Sequence, residues 1–189
     1  MESTCEHRLR SIDWSGYAAP FSARAAEVPL YFRRLADPDQ RVAMAASHEL
    51  WTHLCHQHVS VAPAAVSALP FLLEVLDHAA ADLAVVILDI VLGFALCTNV
   101  YRCDDPPAWA TELREELRQA LPRIERFVGH QAKDADYFAR RVLDDLAHPE
   151  DYLRWEGPRG DLAGPVLAVC LIRQADDPAR HSGQACTCR

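Results

Sequence analysis

The sequence predicts an all-α chain, a short right-handed solenoid of about three stacked helical hairpins, and three observations predict it. Its apolar residues fall in long Ala- and Leu-rich stretches instead of short alternating Val, Thr and Tyr runs, which favours helix over sheet. Only 7 glycines are spread over 189 residues. Four prolines, Pro29, Pro70, Pro122 and Pro165, recur at intervals of 41, 52 and 43 residues, the size of a helical hairpin.

Taken in order, residues 1–26 form an N-terminal cap segment, in which Trp14 is expected to close the first hairpin. The repeat domain spans 27–173, with units at about 27–56, 64–96 and 107–148 and a partial unit at 162–173. After Pro29 comes Leu30-Tyr31-Phe32-Arg33-Arg34-Leu35, and after Pro70 comes Phe71-Leu72-Leu73-Glu74-Val75-Leu76, so the two segments agree in apolar pattern. Pro122 keeps that pattern only partly. Between the helices of the first unit, Asp37-Pro38-Asp39-Gln40 supplies a helix stop and a new N-terminus. In the second helices Val42, Ala46 and Leu50 align with Leu83, Ile87 and Val91, and these with Ala135, Ala139 and Leu143. Each set is apolar and spaced by four, as one buried helical face requires. Residues 97–107, rich in Asn, Asp and Pro, read as a loop, and 174–189 as a flexible polar tail.

Composition narrows the function classes. A net charge of −8 argues against a nucleic-acid binder, since a polyanion is held through clustered Lys and Arg. All but one of the 19 basic residues are Arg, which suits fixed pairing with carboxylates inside the fold or at an interface. No secretory signal precedes residue 10, and the most apolar run, 83–96, is shorter than the ~20 residues of a membrane span and contains Asp89. Seven cysteines without framework spacing fit reduced thiols. A cytoplasmic monomer is expected.

The segment Val28-Pro29-Leu30 through Asp37-Pro38-Asp39, with Arg41-Val42 and Ala45-Ala46, resembles the HEAT repeat. Units of that repeat carry a proline in the first helix, an aspartate in the turn and a Val-Arg pair opening the second helix. Here the pair is reversed. More narrowly, Ile12-Asp13-Trp14-Ser15, Val28-Pro29, His56-Gln57 and Leu69-Pro70-Phe71-Leu72 are similar to a group of bacterial HEAT-like proteins taken to include immunity proteins of polymorphic toxin systems. The similarity covers 12–76, and where members often follow His-Gln with glycine this chain has His58. The resemblance implies a scaffold that binds a partner protein, in its most concrete form an immunity protein blocking a basic toxin domain.

Stacked hairpins leave their second helices lining one concave face, where such arrays bind. His48, Asp89 and Arg141 hold equivalent positions there, and Asp82 and Asp145 share the face. Asp89, set among apolar neighbours, needs a partner such as Arg141 or His48, whether as an ion pair that fixes stacking or as part of a row that meets a partner. The loop offers Tyr101, Arg102 and Asp104 as contacts, or serves as a plain connector. His53-Leu54-Cys55-His56-Gln57-His58 offers zinc ligands. Completing a four-ligand site from Cys97, Cys103 or Cys186/Cys188 would use no recognised spacing, and histidines at a helix end also cap carbonyls. No metal or cofactor is assigned. Cys186-Thr187-Cys188 reads as a redox pair, a soft-metal tail or a tail without a role. Phosphate loops, nucleophile elbows and zinc-protease motifs are absent, so no enzyme is expected. The rivals to immunity are a scaffold without a toxin and a HEAT-like DNA-repair glycosylase, the latter disfavoured by the acidic second helices.

Overall fold

The computed structural model describes residues 4–17, 24–56, 58, 60–99 and 106–148. Among them the chain is predominantly helical: α1 (Thr4–Ser11), α2 (Val28–Leu35), α3 (Gln40–Leu54), α4 (Ala64–Leu76), α5 (Ala81–Asn99), α6 (Ala108–Gln119), α7 (Leu121–Glu125) and α8 (Lys133–Ala147). Strands are confined to a minimal hairpin, β1 (Cys55–His56) and β2 (Ser60–Val61), paired antiparallel with Cys55 opposite Val61.

The first turn forms as its residues dictate. Pro29 sits in the first turn of α2, where its missing N–H costs nothing. Asp37 accepts from the Asp39 N–H, and Asp39 caps α3 by accepting from the Arg41 N–H, both at 2.9 Å. The three prolines are not equivalent in detail. Pro122 also opens a helix, α7, but Pro70 lies inside α4. Ala120 both ends α6 and begins α7, so this pair is one helical path broken just before Pro122, where the ring denies the chain a helical hydrogen bond.

Helix α5 is the centre of the molecule. It packs against α3 on one side and α8 on the other, with α4, α6 and the β-hairpin also in contact. The start of α3 meets the start of α5 through Gln40 and Asp82, 3.3 Å apart, and the end of α5 meets the end of α8 through Asn99 and Asp145. The three helices therefore run in the same sense. The predicted buried face is largely present: Ala46, Leu50, Leu83, Ile87, Val91, Ala135 and Ala139 are buried, while Val42 and Leu143 are half-buried. By length and composition α5 could cross a membrane, being longer than the run 83–96 suggested, but 72% of that window is packed inside this fold.

The loop prediction needs one correction. Cys97, Thr98 and Asn99, expected to begin the loop, are helical and buried. Thr98 stays in the helix because its hydroxyl donates to the carbonyls of Phe94 and Ala95, and Asn99 because it reaches Asp145. Tyr101, Arg102 and Asp104 lie outside the described residues, as do Pro165, the partial fourth unit, Trp155 and the Cys186/Cys188 tail.

Trp14 closes the first hairpin as expected. Its indole N–H donates to the Leu9 carbonyl at 2.9 Å, and its ring lies 6.3 Å from Phe32 and 6.4 Å from Phe71, beneath the Arg8 guanidinium that covers Phe71. The other end of α4 is tied by Asp77, which bonds both Arg123 and Arg126. Burial would raise the Asp77 carboxyl, but the two guanidiniums outweigh it and hold the group below its usual range.

Phe94 is fully buried on α5, so Phe94→Ala should cost about 3–5 kcal/mol. Tyr137→Ala, at an aromatic that is 53% exposed, should stay within about 0.5 kcal/mol. Urea denaturation of the two variants checks both numbers.

Candidate functional site

Asp89, Gly93 and Cys97 follow one another at intervals of four on α5, so they form a stripe along one helical face. The β-hairpin after α3 lies against that stripe. A side chain on Gly93 would overlap the Cys55 Sγ and come within 2.8 Å of His58 Cδ2. The hairpin can therefore sit this close only because position 93 has no Cβ.

His58 sits in the turn with φ 54, in the left-handed region that glycine adopts without cost and other residues adopt rarely. Here the imidazole gives something back: Nε2 is 2.9 Å from Asp89 Oδ1 and 3.1 Å from the Asp89 carbonyl. A carbonyl can only accept, so Nε2 carries the proton. Trp51 stands edge-on to the ring at 6.4 Å.

This geometry corrects the pairing expected of Asp89. Asp89 is paired, but with His58 and not with Arg141 or His48, because the α3–α4 connection folds back over α5 and fills the place a neighbouring helix would otherwise serve. Arg141 turns to Asp144 on its own helix at 3.4 Å, and His48 is exposed. Asp82 is exposed and receives Gln40. Sequence reasoning missed His58 as a partner; the signal was a non-glycine residue at a turn position two residues before a new strand.

Cys55 and Cys97 are both buried and free. Burial pushes the Cys55 thiol up, but its interaction with Cys97 and the charge of His58 bring it below the usual thiol range. Cys97, interacting with Cys55 and buried with it, is driven well above that range. Burial lowers His58, and its bond to Asp89, with the Cys55 and Asp89 charges, more than reverses that. The cluster thus shifts Cys55 toward its thiolate and His58 toward its imidazolium relative to the isolated groups. Among the described residues no three His, Cys, Asp or Glu side chains converge in a way that could hold a metal ion. His53 instead bonds the Glu49 carbonyl through Nδ1 at 2.8 Å, with the Tyr31 ring 4.9 Å away.

Asp145, predicted on the exposed face, is buried at the ends of α5 and α8. Asn99 donates to its Oδ1 at 2.5 Å, and the Arg114 guanidinium lies 3.8 Å from its Oδ2. Arg114, also buried, donates to the Ala95 and Asp145 carbonyls, and so places a cation at the C-terminal ends of two helices. Burial raises the Asp145 carboxyl to about 6 against the opposing pull of Arg114 and Asn99. Its position one turn from the helix end, facing α6, took it off the surface; a heptad count could not show that.

Two outcomes follow from this geometry. Gly93→Ala should destabilise the protein by about 1–3 kcal/mol, and Cys55→Ala in the same chain should recover much of the loss, measured as a double-mutant cycle. The Asp145 carboxyl binds its proton more tightly folded than unfolded, so its contribution to stability falls as pH rises from about 4 through about 6 and is flat above. Urea midpoints should show that decline in the wild type and not in Asp145→Asn. Comparison with family models, curated proteins and solved structures returned no match.

Proposed function

We propose that the chain is a non-enzymatic, HEAT-like protein-binding module whose hairpins stack as a short right-handed solenoid, and that it acts as an immunity protein neutralising a cognate bacterial toxin. The observation that carries this reading is the outward side of α3, α5 and α8. The three helices lie side by side in one sense, and their solvent-reaching positions recur in register: Arg41, Asp82 and Asp134; Met44, Val85 and Tyr137; His48, Asp89 and Arg141. Half-buried Met44 and Val85 and the exposed Tyr137 ring offer an apolar strip, and Glu49, Asp82, Asp134 and Asp144 border it with negative charge. An apolar centre with a polar rim and an aromatic anchor is the usual anatomy of a protein interface.

Charge favours a basic protein over DNA. Arg140 and Arg141 are already engaged by Asp136 and Asp144, so a nucleic acid approaching this side would meet carboxylates without free cations to match them. An acidic inhibitor gains fast, salt-sensitive association with a basic active site. A cytoplasmic monomer suits that role.

Co-expression with the toxin-like product of an adjacent gene tests the reading. The chain should restore growth, and the double reversal Asp82→Lys with Asp134→Lys should abolish rescue while circular dichroism stays unchanged. The association rate of the purified pair should fall about tenfold or more between low and high salt. Rescue that survives the reversal, or a rate indifferent to ionic strength, would overturn it.

A further inference from the structure

Cys55 and Cys97 are the described molecule's two fully enclosed thiols, and they come from elements 42 residues apart in sequence that meet at Gly93. The Cys55 Sγ occupies the space a Gly93 side chain would fill. Cys97 lies one turn further along the same face of α5, and positions four apart on a helix hold their Cβ atoms about 5–6 Å from each other. The Cys55 sulfur and the Cys97 side chain therefore lie beside each other on this face of α5, each shifting the other's titration. A disulfide needs little more than rotation of the two side chains in such a place. Neither the binding face nor any ion pair of the fold makes use of these thiols.

The chemistry beside them is directional. His58 Nε2 is fixed by Asp89, and the His58 ring lies against Gly93 next to the Cys55 sulfur. The His58 and Asp89 side chains remain 19% and 24% exposed, so the cluster has one edge on solvent and its sulfurs behind that edge. Cys55 is fully buried, so a protein or a bulky thiol cannot reach it.

We propose that Cys55 and Cys97 form a peroxide-responsive dithiol in which Cys55 is the attacking sulfur, Cys97 the resolving one, and His58, held by Asp89, the proton donor. The Cys55 thiolate attacks one oxygen of hydrogen peroxide: an S–O bond forms, the O–O bond breaks, and the leaving hydroxide takes a proton from His58 and departs as water. Sulfur is oxidised by two electrons and the peroxide reduced. Cys97 then attacks the Cys55 sulfenic acid; an S–S bond forms, the S–O bond breaks, and the Cys97 proton leaves with the hydroxyl as a second water. The product staples the β-hairpin to α5 across a long loop, which restricts the unfolded chain and should raise the Tm.

The test uses the full chain with all seven cysteines. After treatment with a few equivalents of hydrogen peroxide and alkylation of remaining thiols, a digest under non-reducing conditions should yield a Cys55 peptide linked to a Cys97 peptide, two hydrogens lighter than the pair. In Cys97→Ser the Cys55 sulfenic acid should instead accumulate and be trapped by dimedone once the oxidised chain is unfolded. Asp89→Asn should slow oxidation of Cys55 several-fold and leave the identity of the linked pair unchanged. Both thiols still open to alkylation after unfolding, or linkage only to Cys5, Cys103, Cys170, Cys186 or Cys188, would overturn the proposal. An Asp89→Asn rate equal to the wild type would remove His58 and Asp89 from it. Should a variant fail to fold, the wild-type digest alone decides the pairing. None of these readouts requires a bound toxin.

Discussion

Ten consecutive residues of α5, from Ile90 to Asn99, are buried, and that single requirement organises the rest of the molecule. A helix apolar on every side must have neighbours on every side. Helices α3 and α8 flank it, α4 and α6 cover it, and the remaining gap, beside the end of the shorter α3, is filled by the β-hairpin. The hairpin is thus not ornament on a helical fold. It is the piece that completes the burial of α5 where the 15-residue α3 stops short of its 19-residue neighbour. Gly93 allows the contact, and the Ala62 N–H bonding back to the Leu54 carbonyl closes the loop's base at 2.9 Å.

Parallel neighbours bring a second requirement. When α5 and α8 end side by side, their unsatisfied carbonyls and their dipoles' negative ends add, and the site is closed to water. Arg114 answers this from α6, with one guanidinium shared between the Ala95 and Asp145 carbonyls. Asp145 then balances the buried cation, and Asn99 orients Asp145. A buried pair of this kind contributes little net stability against an apolar filling, but losing one partner leaves a charge stranded. It fixes the relative position of three helices more than it strengthens their contact.

What could be read from the sequence follows from which forces act locally. The 3.6-residue spacing of Ala46, Leu50, Ile87, Val91, Ala135 and Ala139 reports burial that each helix needs on its own account, and the structure keeps those faces inward. The Asp37–Asp39 turn and the Trp14 cap were legible for the same reason. Pairing was not. That Asp89 had to have a partner followed from its apolar neighbours, but which partner depended on where the nine-residue connection between α3 and α4 folds, and that is set by the length difference between α3 and α5. Asp145 escaped because an acidic residue in an amphipathic pattern looks solvated until a cation from a third helix is placed beside it. The end of α5 ran past the expected loop start because Thr98 and Asn99, poor helix formers, are engaged there by Arg114 and Asp145 from other helices.

Only the first turns of α5, around Asp82, Val85, Val86 and Asp89, reach solvent. Asp89 therefore belongs to two places at once. On one side it borders the strip of Met44, Val85 and Tyr137 on which the proposed partner sits, and on the other it holds His58 over the thiols. A protein seated across Val85 and Val86 covers the edge through which peroxide would enter, so the bound form shields Cys55. Thermodynamic linkage makes the relation reciprocal: if the disulfide alters the position of the hairpin beneath Asp89, it alters affinity by the same factor by which the partner alters the equilibrium of oxidation. The coupling needs no long-range pathway, because one carboxylate is shared by both surfaces.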